Sequence, residues 1–218
     1  MYPEAGYSFD GRATALPRKM GVLMKRLGVP VVTVITQGAF TINPLYNCLQ
    51  RRKCNVSAKV TCIATAEEVK NLTVAELDAR LEEKFSFDNF RWQQENKIKI
   101  DEPFRADGLH RILYRCPHCN TEGHMEGKGI TLTCHHCGVI YTLDEYGYLQ
   151  AENAVFHHVP DWYEWERKCV REELENVKRE RISVLEGLNR SNQSAVEALG
   201  VKVLNNVELK LNSIRNEL

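Results

Sequence analysis

Residues 116–138 read "CPHCNTEGHMEGKGITLTCHHCG", and two C-x-x-C pairs so close together leave a chain few ways to fold. Both thiolates of a C-x-x-C turn can reach one metal ion at tetrahedral angles. Two such turns joined by a hairpin complete a four-sulfur shell, the shell zinc prefers. The intervening stretch, residues 120–133, is slightly shorter than the usual spacer and suits a short hairpin. Gly138 supplies permissive backbone after the second turn. The expectation is a structural zinc site held by Cys116, Cys119, Cys134 and Cys137, closed to substrate because no coordination position is left open.

Other readings of these cysteines are weaker. Two disulfides would need an oxidising compartment that nothing else indicates, and a redox C-x-x-C needs no second pair. His118, His135 and His136 lie in or beside the turns and could replace a sulfur, but four cysteines are the simpler set. His124 reads as a surface residue of the hairpin. Cys48, Cys54, Cys62 and Cys169 have no partner spacing and default to small thiols.

The 218 residues fit one or two domains, and the equal numbers of acidic and basic residues give no chain-wide attraction for nucleic acid or anionic lipid. No apolar run reaches the 18 residues of a membrane span, and no basic-then-apolar leader is visible. A cytoplasmic location, or a peripheral one at the inner membrane face, is expected, with no nucleic-acid partner.

The expected architecture is α/β, then helices, a small ribbon and a long C-terminal helix. Residues 1–64 form the α/β part. Leu16, Met20, Leu23, Met24 and Leu27 recur at helical spacing up to Gly28. The run Val29–Ile35 looks like a strand buried on both faces, as in a parallel sheet. "NVSAKVTCIA" alternates like a half-exposed strand, and "RRK" at 51–53 reads as a solvated loop tip that could meet phosphate or anionic lipid. Residues 65–110 form a helical connector. Thr65 with Glu68, and Thr73 with Glu76, have capping-box spacing; a short helix starts at Asp88; and 99–110 reads as a linker. The ribbon occupies 111–150, and 151–218 is helical from Pro160 on. Trp162, Tyr163 and Trp165 read as packing residues, and His157 and His158 as loop residues. Apolar residues at 196, 199, 203, 207, 211, 214 and 218 form a stripe too irregular for a clear coiled coil.

The N-terminal pattern carries a resemblance. "YPEAGYSFDG" followed by "GVPVVTVITQG" resembles the glycerophospholipid acyltransferases, which acylate lysophosphatidic acid and related acceptors. Tyr2, Pro3, Glu4, Ala5 and Ser8 match the family's Phe-Pro-Glu-Gly-Thr-Arg-Ser motif wholly or nearly. Val29, Pro30, Val31, Val32 and Val34 match its Val-Pro-Val-Val-Pro-Val strand. Residues 1–175 are similar to a bacterial subgroup in which a C-x-x-C ribbon and an "IPDWYEWER"-type segment, here "VPDWYEWER", follow the acyltransferase part.

The resemblance implies an acyl thioester donor and a lysophospholipid acceptor, with Glu4, Gly6, Tyr7 and Ser8 on the acceptor and amides near Gly6 and Gly11 assisting. The chain departs from the pattern at Ala5, at Tyr7 in the arginine position, and at Thr33 in place of the second proline. The family's catalytic His and Asp, with four residues between them, precede the Pro-Glu motif. None of the seven histidines here has an Asp five positions on. The expectation is therefore the C-terminal part of an acyltransferase, completed by an upstream half or an oligomer and inactive alone for want of a general base. The alternative is a non-enzymatic zinc ribbon binding a protein or nucleic-acid partner.

Overall fold

The computed structural model describes residues 3–4 and 6–191, with side chains as far as 184. The chain divides into two compact units, Met1–Glu166 and Arg167–Leu218. It is mixed α/β: six helices and two antiparallel sheets among the described residues.

Helix α1 (Met20–Leu27) begins four residues later than the periodicity of the sequence suggests. Lys19 takes a left-handed conformation, which no helix interior tolerates, so Leu16 lies before the helix but still packs with it. Gly28, also left-handed, ends α1 by donating its N–H to the Met24 carbonyl.

Strand β1 (Val31–Gln37) falls where the apolar run predicts a strand, but the expected parallel, doubly buried setting is wrong. It pairs antiparallel with β2 (Ser57–Ala64), Val34 opposite Val60. Val32, Val34 and Val60 lie on an exposed face, while Thr33 on the other face is buried. A β-branched run reports fit to a pleated backbone and says less about how many faces are covered.

The connection between these strands holds α2 (Ala39–Ile42) and a tight turn at Leu45–Asn47. It also corrects the reading of the "RRK" tip. Arg51 and Lys53 are exposed, but Arg52 is buried: its guanidinium donates to the Tyr46 hydroxyl (2.9 Å), to Asn47 Oδ1 (3.0 Å) and to the Arg105 carbonyl (2.8 Å). A buried cation needs this degree of satisfaction to persist. Arg52 is a structural clamp, not a lipid-facing charge.

Both capping boxes form as their spacing predicts. Thr65 caps α3 (Ala66–Asn71) and Thr73 caps α4 (Val74–Lys84), with Glu68 and Glu76 closing back on the cap amides. Asp88 caps α5 (Asn89–Glu95). Val69, Leu77 and Leu81 join Met24, Ile63 and Ala64 in a small core.

The stretch 99–110, expected to be a linker, is not loose. Ile100, Ala106 and Leu109 are fully or almost fully buried, and Arg105 Nε donates to the Leu143 carbonyl at 2.7 Å. The reason is size. The ribbon strands β3 (Met125–Lys128), β4 (Thr131–Cys134), β5 (Ile140–Leu143) and β6 (Leu149–Gln150) form a four-stranded meander too small to bury a core by itself. They borrow apolar cover from Tyr46, Phe90 and Leu109 on one side of the sequence and from Val159 and Trp162 on the other.

Helix α6 (Val159–Ser191) starts within the first unit and continues into the second. Trp162 is fully buried and donates its indole N–H to the Arg115 carbonyl at 3.0 Å, as its packing role predicts. The stripe read at residues 196–218 lies outside the described residues.

Candidate metal centre

Each C-x-x-C turn is built the same way. Asn120 N–H returns to the Cys116 carbonyl and Gly138 N–H to the Cys134 carbonyl, both at 2.9 Å, and both returning residues are left-handed. This curl aims the two sulfurs of a pair inward. The β3–β4 hairpin then brings the pairs together, with Met125 opposite Cys134. The four sulfurs lie within 4.8 Å of one another, with Cys116 Sγ to Cys137 Sγ at 3.6 Å and Cys119 Sγ to Cys134 Sγ at 3.7 Å.

These separations test the metal. Zinc–thiolate bonds of about 2.3 Å at tetrahedral angles place sulfurs about 3.8 Å apart. A disulfide would need about 2.05 Å. The set fits a zinc ion and not a pair of disulfides. It is the one group among the described residues that brings three or more metal-binding side chains together.

The thiols have unequal surroundings. Burial, countered in part by amides of its own turn, pushes Cys116 up to about 12. The Thr121 hydroxyl, 2.9 Å from its sulfur, leads the interactions that bring Cys119 down to about 5. Burial also raises Cys137. Four thiolates repel one another in a half-buried shell, so a divalent cation is what would let all four ionise together.

The neighbouring histidines point elsewhere. His118 Nε2 meets the Tyr141 hydroxyl at 2.9 Å, and that hydroxyl also accepts the Val155 N–H. His135 pairs with Glu126 at 2.9 Å on the surface, and the His124 and His136 rings lie against each other.

The residues that the resemblance assigns to an acceptor meet around a second feature. Glu4, Gly6, Tyr7 and Ser8 line one cavity of about 340 Å³ with Arg12 and Asn89. Glu4 Oε1 accepts the Thr14 N–H at 2.9 Å. Ser8 Oγ accepts the Gly11 N–H at 2.9 Å and donates to the Arg12 carbonyl. Tyr7 is largely exposed. Arg12 was not singled out by sequence. Its guanidinium donates to Asp10 at 2.9 Å and to the Pro160 carbonyl. No motif marks it, and its position on the cavity depends on the fold.

Sequence reading also missed His158. It is no loop residue: it is buried, with Nε2 2.9 Å from Asp88 Oδ2 and Nδ1 3.3 Å from Gln94 Nε2. The Gln94 amide also donates to the Gly147 carbonyl, so Nδ1 accepts and Nε2 carries the proton toward Asp88. Burial works against the Asp88 charge, but the His158 hydrogen bond, the Arg91 amide and the nearby Arg12 charge outweigh it and hold the carboxyl below its ordinary value. The partners are seventy residues apart and carry no local signal.

No model of a known protein family matches the chain, and neither does any curated protein or solved structure.

Proposed function

We propose that this chain joins a structural zinc ribbon to the acceptor-holding side of a glycerophospholipid acyltransferase, and that it binds lysophosphatidic acid or a related phosphomonoester lipid without transferring acyl groups by itself. One observation carries the reading: the four residues that the resemblance assigns to the acceptor, Glu4, Gly6, Tyr7 and Ser8, line a single cavity. Arg12 on the same cavity supports it, because it offers the cation that Tyr7 cannot. Asp10 and the Pro160 carbonyl compete for that cation, so the affinity is expected in the high micromolar range.

The lack of transfer follows from the histidines. His158 lies with an aspartate, but both its ring nitrogens are engaged within the fold, leaving none to take a proton from an acceptor hydroxyl. A positioned base contributes about 10²–10⁴-fold. Four thiolates round one ion also leave it no open position for Lewis-acid chemistry.

Two measurements test this. Calorimetry with soluble short-chain lysophosphatidic acid should detect weak binding, reduced about tenfold or more by Arg12→Ala, a charge-assisted contact being lost, and reduced also by Glu4→Ala. Equal binding by all three proteins removes the acceptor site. Free-thiol release from an acyl thioester with the same lipid should not exceed that of a heat-treated sample; turnover by residues 1–218 alone would mean that the active site lies elsewhere. A second reading, a ribbon that binds a protein partner and has no part in lipid chemistry, draws on the exposed Ile140, Tyr146 and Tyr148 around β5 and β6. Absence of lipid binding would favour it.

A further inference from the structure

The second unit presents an apolar stripe that the proposed lipid role does not use. Along α6, Val170, Leu174, Val177 and Val184 are 36, 56, 51 and 61% exposed. Their spacing is four, three and seven residues, and Arg181 fills the place between Val177 and Val184. That is the alternating 4-3 spacing of a coiled-coil seam. Leu174 and Arg181 fall at a positions; Val170, Val177 and Val184 fall at d. Ile182, also exposed, stands off the seam at b.

We propose that this face is a self-association surface, and that α6 pairs with the α6 of a second copy as a parallel, in-register, two-stranded coiled coil. The charges beside the seam select that occupant. Glu173 and Glu180 hold g positions and Lys178 holds e. In a parallel pair each g residue faces the e residue five places on in the other chain, so Glu173 of each copy meets Lys178 of the other. An antiparallel pair would set g against g and e against e, like charge against like. Within one chain Lys178 lies 2.5 Å from Glu175, one turn back at b, and the pairing proposed across the seam exchanges that exposed contact for Glu173 of the other copy.

Arg181 fits the same arrangement. A side chain at a enters a hole whose walls include the g residue just before the facing a, here Glu180 of the other copy. The guanidinium is therefore met by a carboxylate and can extend along the seam to water. A wider bundle of three or four helices would bury it, which selects two chains although the d positions are β-branched.

The test is sedimentation equilibrium of the full, metal-loaded chain at tens of micromolar. The expected mass is that of two 25.0-kDa chains. Leu174→Asp should weaken association by about 100-fold or more, because two carboxylates then share one apolar layer. Its metal content should stay that of the wild type, since Leu174 lies outside the unit that holds the ribbon. Glu173→Lys and Lys178→Glu should each weaken association by about tenfold, two pairs being lost per dimer. The double variant should restore it, as should mixing the two single variants. A monomeric wild-type chain, or a dimer indifferent to Leu174→Asp, would overturn the proposal. Single swaps that leave association unchanged would overturn the parallel arrangement.

Discussion

Purified under reducing conditions, the chain is expected to contain about one zinc ion per molecule, and stripping that ion should unfold the ribbon. Structural zinc in small peptides is worth roughly 10–16 kcal/mol at neutral pH. The effect should reach beyond residues 116–137. Cys116 and Cys134 belong to the same buried cluster as Leu109, Leu132, Tyr141, Val159 and Trp162. The Arg115 carbonyl, next to Cys116, is what holds the Trp162 indole. Loss of metal should therefore expose Trp162, and a red shift of tryptophan emission on adding a chelator is the simplest readout. Cys119→Ala should reproduce that shift without chelator. Cys62→Ala, at an exposed thiol outside the cluster, should not. Elemental analysis that finds no zinc in a reduced preparation would remove the assignment.

Glu166 yields the second large effect, a dependence of stability on pH. It is fully buried at the end of the first unit, where Oε1 accepts the Arg115 amide at 2.8 Å and Oε2 has no hydrogen-bond partner. Burial, only partly countered by the Arg115 amide and its neighbours, pushes its carboxyl from an ordinary 4.5 up to about 8. The folded chain thus keeps this proton to higher pH than the unfolded chain does. Between about 4.5 and 8 the folded state binds more protons, so stability falls as pH rises through that window. The slope approaches roughly 1.4 kcal/mol per unit, and the whole loss is at most about 5 kcal/mol.

Glu166→Gln keeps an acceptor for the Arg115 amide and removes the charge. It should be more stable than the wild type at pH 8 by a few kcal/mol, and close to it at pH 5. Urea denaturation of both proteins at each pH measures this. Comparing them at the same pH also cancels the zinc contribution, which runs the other way because acid protonates the thiolates. A difference that does not grow between pH 5 and pH 8 would show that Glu166 is ionised in the folded chain.

The local devices of this fold could be read from the chain alone, because each depends on neighbours a few residues apart. The two capping boxes, the Asp88 cap, the Gly28 stop and the four sulfurs of the ribbon are of this kind. A C-x-x-C turn carries its geometry within itself, so the spacing alone picked out the four sulfurs that the fold gathers. What needed tertiary structure was the setting of those pieces. The run at 29–35 specified a strand, but its antiparallel partner lies some twenty-five residues on, and only packing decides which face of a β-branched strand is covered. "RRK" and 99–110 have the composition of solvent-exposed loops. Ala106 and Leu109 are buried because a ribbon of four short strands cannot cover its own core and draws on whatever chain lies against it, and Arg52 is buried among Tyr46, Asn47 and the Arg105 carbonyl. Arg12, the Asp88–His158 pair and the Glu166 carboxyl carry no local signal at all. Apart from the Asp10–Arg12 pair, their chemistry is set by groups tens of residues away in sequence, brought close only when the chain folds.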